Sequence, residues 1–122
     1  MRILAIEDDA DTREMYVRML RDERHEAIVA ATGADGLRLS AERPDLIILD
    51  LGLPDIHGYE VLRALKTDPG TADVPVLIVS ASRFESPADV PGFVAALRKP
   101  VDLPMLPAIV SLVGIGSGPS KG

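Results

Sequence analysis

Cysteine and tryptophan are absent from this chain, and only two tyrosines, two phenylalanines and two histidines occur in its 122 residues. Without cysteine there is no disulfide framework, no thiolate metal centre and no thiol nucleophile. The few aromatic rings leave little to stack on unpaired bases. Basic residues are also in the minority, 13 Lys and Arg against 19 Asp and Glu, for a formal net charge of −6. That balance argues against a nucleic-acid surface, which needs a basic patch, and is compatible with binding a metal cation. No apolar run approaches the roughly 18–20 residues that span a bilayer. The opening "MRILAI" lacks the charged, apolar, small-residue succession of a secretory signal. The expected compartment is the cytoplasm, with no membrane and no direct nucleic-acid partner.

What is present is an ordinary globular balance, 47% apolar and 26% charged residues, in a length that suits one domain. Five short apolar runs recur along the chain: "RILAI" (2–6), "EAIVA" (26–30), "DLIILD" (45–50), "VPVLIVS" (74–80) and "FVAAL" (93–97). Most are continuous rather than alternating, the pattern of strands buried on both faces of a parallel sheet. Helical periods lie between them. "DTREMYVRMLRDER" sets Thr12, Met15, Tyr16, Met19 and Leu20 on one stripe, which predicts a core-facing side. "ADGLRLSAER" and "GYEVLRALKT" keep the same period, the second with Val61, Leu62 and Leu65. "DLPMLPAIVSLVG" closes the series, with Asp102 as its N-cap. Alternating strands and helices predict an α/β fold, a doubly wound parallel sheet with right-handed crossovers. Between the fourth and fifth strands, Pro87 and Pro91 leave room only for a shortened or irregular fourth helix. The tail "GIGSGPSKG" reads as flexible, which sets the domain at 1–114 and the tail at 115–122.

Ligands of parallel α/β sheets bind at the carboxyl ends of the strands. There the first strand runs into Glu7, Asp8 and Asp9, the third into Asp50, the fourth into Ser80, and the fifth towards Lys99. Each residue also has a plain reading. Acidic residues suit a helix N-terminus, an aspartate can open a turn, a serine can end a strand, and a lysine can be a solvated charge. Taken together they are harder to explain so. Several carboxylates gathered at one edge repel one another unless a cation sits among them, and hard oxygen ligands with access to water suit Mg²⁺.

The stretches "ILAIEDDADTREM", "PDLIILDLGLPDIHGYEVLRAL", "VPVLIVSAS" and "LRKPVD" resemble the receiver domain of two-component response regulators. The resemblance extends from Arg2 to about Val113 and implies a five-stranded (βα)5 flavodoxin-like sheet of strand order 2-1-3-4-5. Position by position, it implies Asp50 as the phosphoacceptor. Glu7 and Asp8 match the acidic pair that holds Mg²⁺, Asp8 directly and Glu7 through water, and the backbone carbonyl of Gly52 is a further implied ligand. Ser80 matches the hydroxyl that contacts the phosphoryl group, and Lys99, followed by Pro100, the cation beside it. Asp9 falls one place past the pair and is left to cap the helix. Phosphoryl transfer needs such a set: a nucleophilic oxygen, a metal, and a cation to offset charge on the equatorial oxygens.

Pro54 and Gly58 are expected to shape the loop after Asp50. His57 is expected to be exposed in that loop, and His25 to lie away from the chemistry. Two features depart from the family pattern. Receivers usually carry Tyr or Phe three residues before the lysine, where this chain has Ala96, with Phe84 or Phe93 available to fill the space. Lys99 also stands only 19 residues after Ser80, in keeping with a clipped fourth helix. Both departures fall where receivers dimerise or dock partners, so a homodimer is compatible with the sequence.

The function implied is a stand-alone phosphoacceptor, not a turnover enzyme. It would receive its phosphoryl group from a sensor histidine kinase or a histidine phosphotransfer protein and signal by protein–protein contact. An interaction module that works without phosphorylation is the alternative. A Mg²⁺-dependent phosphohydrolase would want a second acid or base beside Asp50, which "DLGLP" does not offer.

Overall fold

The computed structural model describes residues 1–80 and the backbone of residues 95–98. The elements run β1 (Arg2–Ile6), α1 (Ala10–Asp22), β2 (Glu26–Ala30), α2 (Gly33–Ser40), β3 (Leu46–Leu49), α3 (Gly58–Thr67), β4 (Val76–Ser80) and β5 (Ala95–Arg98). The strands form one parallel sheet in the order β2-β1-β3-β4-β5. The expected shortened fourth helix, the Asp102 cap, the closing helix, Phe84, Phe93, Lys99, Pro100 and the tail all lie outside the described residues.

Alternation along the strands builds two cores. Leu4, Ile6, Ile47, Leu49, Val76 and Ile78 face Val61, Leu62 and Leu65 of α3 and the half-buried Leu37 of α2. The intervening Ile3, Ala5, Leu46, Ile48, Leu77 and Val79 face Tyr16 and Leu20 of α1. The three central strands are therefore apolar on both sides, which is why their sequences read as unbroken runs. Each such side chain taken from water adds about 1.5–3 kcal/mol. Met15 and Met19 pack on the second core but remain half-buried, so the expected stripe is centred on Tyr16 and Leu20.

Local chemistry sets the helix ends. Asp9 caps α1, accepting from the Thr12 N–H at 2.9 Å and the Thr12 hydroxyl at 2.6 Å. Thr32 caps α2 by accepting from the Asp35 N–H at 3.1 Å. His57 caps α3, its Nδ1 accepting from the Tyr59 N–H at 3.2 Å. α2 stops at Ser40, short of the "AER" that its period suggested, and Arg43 turns the chain at φ 56°. β4 begins at Val76 rather than Val74, because the preceding turn holds Val74 through its N–H to Thr71. The Lys66 ammonium stitches that turn to α3 by donating to the carbonyls of Ala72 and Val74.

Candidate functional site

The parallel register brings the ends of β1, β3 and β4 to one edge of the sheet. The Glu7 N–H donates to the Ala30 carbonyl at 2.9 Å and the Asp50 N–H to the Ile6 carbonyl at 3.0 Å, so both residues continue the ladder just past their strands. Their carboxylates join that of Asp8, with one oxygen from each lying within 4.8 Å of the others. Glu7 is 1% exposed and Asp50 6%, whereas Asp8 is open to solvent.

The turn that places the acidic pair is closed by Arg13. Its Nη1 donates to the carbonyl of Glu7 at 2.9 Å and to that of Asp8 at 2.8 Å, while Glu7 Oε2 accepts from the Asp9 N–H at 3.1 Å. On the other side, Asp50 Oδ1 accepts from the Gly52 N–H at 3.2 Å, and Gly52 itself is exposed. Ser80 ends β4, fully buried and paired in register with Arg98. Ala96 occupies β5 opposite Ile78. Of the expected site residues, Glu7, Asp8, Asp50 and Gly52 thus gather at the edge where Ser80 ends its strand, and Lys99 lies outside the described residues.

Three features had not been foreseen. Tyr16 is buried in the second core: burial first, then the charges of Glu7 and Asp50, push its hydroxyl above the ordinary tyrosine range. Arg13 is bound to backbone carbonyls that only the folded turn brings together. Asp55 accepts from the N–H groups of Gly33 at 2.8 Å and Ala34 at 2.9 Å, and these bonds hold its carboxyl below the usual range. Its partners are more than twenty residues away, so no local pattern marks it. His57 is exposed and occupied as a helix cap, as expected of a residue outside the chemistry.

The donor set suits a hard divalent cation. It offers only oxygen, two of its three carboxylates are almost fully buried, and the exposed third leaves room for coordinated water. A bound divalent ion would be the largest local charge at such a site.

The family model described as the response regulator receiver domain matches residues 3–111. The chain belongs to the receiver-domain family. Phosphorylation-dependent signalling in two-component systems is the role of that family. The DNA-binding response regulator MtrA of Mycobacterium tuberculosis is 41% identical over 81 residues, which cover 66% of this chain and 34% of that protein. The chain therefore spans about a third of the length of these curated relatives. Protein PilH of Pseudomonas aeruginosa is 31% identical over 86 residues, 70% of this chain and 71% of that one. Among solved structures, the chemotaxis protein CheY4 of Vibrio cholerae superposes with a TM-score of 0.83 at 26% identity, covering 92% of this chain and 97% of the other. The receiver domain of a sensor histidine kinase from Pseudomonas aeruginosa gives 0.80 at 27% identity, covering 93% and 97%, and that structure has a magnesium ion coordinated in its active-site cleft. No helix among the described residues of this receiver is long and apolar enough to cross a membrane.

Proposed function

We propose that this receiver accepts a phosphoryl group on Asp50 from a sensor histidine kinase or a histidine phosphotransfer protein. The observation that carries the reading is the meeting of Asp50 with Glu7 and Asp8 at the ends of β3 and β1. In the transfer an Asp50 oxygen bonds to phosphorus as the phosphorus–nitrogen bond of the donor phosphohistidine breaks, and the imidazole nitrogen leaves with the electron pair. Glu7, Asp8, Asp50 and the Gly52 carbonyl are the residues we assign to Mg²⁺, which when bound supplies positive charge against the phosphoryl oxygens. Ser80 would donate its hydroxyl to a phosphoryl oxygen, and Lys99 would add a fixed cation.

The product is an acyl phosphate on the protein itself, so the step sets a state rather than turning over a substrate. The functional unit we assign is residues 1–114, acting in the cytoplasm through protein–protein contact, with Ala96 giving the read-out surface a character unlike most receivers.

Incubation with acetyl phosphate and Mg²⁺, followed by intact mass and hydroxylamine lability, tests this. One adduct per chain that is absent from Asp50→Asn supports the proposal. A folded protein that takes no adduct would instead be a phosphorylation-independent interaction module. Repeated release of phosphate would make it a hydrolase.

A further inference from the structure

The loop between β3 and α3 carries Asp50 and Gly52 at one end and Asp55 near the other. At its start the Asp50 N–H is held by the Ile6 carbonyl of β1, and further along Asp55 ties the loop to α2 by accepting two hydrogen bonds from it. Each carboxylate oxygen takes one N–H, Oδ1 from Gly33 and Oδ2 from Ala34. With Thr32 Oγ1 taking the Asp35 N–H, the first three helical N–H groups of α2 are all satisfied. A carboxylate in this place also meets the positive end of the helix dipole.

The approach is close enough to be selective. A Cβ built on Gly33 would lie 3.0 Å from Val61 Cγ2, 3.1 Å from Ile56 Cβ and 3.3 Å from Asp55 Oδ1. α2 is therefore seated directly on the loop and the first turn of α3.

We infer that Asp55 is a positioning residue: by latching the β3–α3 loop to the N-terminus of α2 it fixes the loop that presents Asp50 and Gly52 to the metal and the phosphoryl group. The inference rests on the function proposed above. Only two residues, Leu53 and Pro54, separate Gly52 from Asp55, so freedom at Asp55 is passed to the metal-binding end with little chain to absorb it. Displacements of an ångström are enough to impair metal binding and transfer. The latch also ties the site to α2, an element that bears none of the assigned site residues.

The test compares Asp55→Ala with Thr32→Ala in the full chain. Thr32→Ala removes the other cap of the same helix and leaves the loop bonds in place, so it controls for simple loss of helix stability. Titration with Mg²⁺ by calorimetry should show about 10-fold weaker binding for Asp55→Ala and near wild-type binding for Thr32→Ala. Amide exchange of residues 51–57 in metal-free protein should speed up in Asp55→Ala alone. Asp55→Asn, which keeps one acceptor oxygen, should fall between. Labelling of Asp50 by acetyl phosphate should slow at low Mg²⁺ and recover at saturation. Unchanged Mg²⁺ affinity and loop exchange in Asp55→Ala, or equal losses in Thr32→Ala, would overturn the inference. Failure of the wild-type chain to be labelled on Asp50 would overturn the phosphoacceptor reading instead.

Discussion

Gly58 lies against the backbone of Leu51, donating its N–H to the Leu51 carbonyl at 3.0 Å and leaving no space for a side chain above it. A Cβ at Gly58 would collide with Leu51 Cα and lie 2.8 Å from the Asp50 carbonyl oxygen. The first residue of α3 is thereby fitted to the residue that we assign as phosphoacceptor. Because the obstacle is backbone, it cannot rotate away. Gly58→Ala should cost about 3 kcal/mol of stability, read by urea denaturation. It should also lower Asp50 labelling in the fraction that remains folded. Wild-type stability in this variant would show that the loop has slack that the packing does not suggest.

Asp8 is the exposed member of the acidic cluster and so its most replaceable charge. In Asp8→Asn, one carboxylate of the cluster is neutralised at an exposed position, and the metal-free protein should be at least as stable as wild type. Mg²⁺ should raise the Tm of wild-type protein, since a ligand at 100 times its Kd adds about 2.7 kcal/mol. That gain should be largely absent from Asp8→Asn. Differential scanning calorimetry with and without Mg²⁺ checks both halves.

His25 sits between the end of α1 and β2, where its Nδ1 accepts from the amino group of Met1 at 3.0 Å. Burial, followed by the positive charge of that amino group, lowers its pKa from 6.5. The unfolded chain therefore binds a proton at a higher pH than the folded one. His25 should leave stability intact above about pH 6.5 and erode it as the pH falls from there towards the depressed folded value. A stability profile across that window should be flatter in His25→Gln. A profile unchanged by the substitution would remove His25 as its cause.

Tyr59 packs on the α2/α3 core, and its ring lies 4.9 Å from that of His57. Its hydroxyl is buried with no hydrogen-bond partner among the described residues. Burying an unsatisfied hydroxyl costs roughly 1–3 kcal/mol. Tyr59→Phe keeps the ring and drops that group, so stability should stay level or rise by about 1 kcal/mol. A loss of more than that in a urea titration would mean the hydroxyl has found a partner.

Much of the architecture was legible because it rests on local rules. Strands buried on both faces must be apolar throughout, and that made β1 and β3 readable directly. α3 begins and ends where its period and its glycine place it, since an amphipathic repeat over Gly58–Thr67 allows no other register. The acidic cluster was legible through the strand-end rule, which needs only the order of elements. Less legible were contacts whose meaning depends on distant chain. Nothing in "LPDIHG" says that Asp55 will cap a helix that begins twenty-two residues earlier. Tyr16 read as one more apolar position, and only the folded sheet brings its phenol within reach of the charges of Glu7 and Asp50. The end of β4 was placed correctly but its start was not, because Lys66 holds the preceding turn from another element.

The borrowed cap on α2 also bears on how the chain is made. As synthesis proceeds from the N-terminus, α2 leaves the ribosome with its first two N–H groups unsatisfied, because Asp55 has yet to be added. An eight-residue helix is too short to persist alone. Its lasting formation must wait until β3 and the following loop have emerged and docked, so the first half of the domain cannot settle before the second begins to arrive.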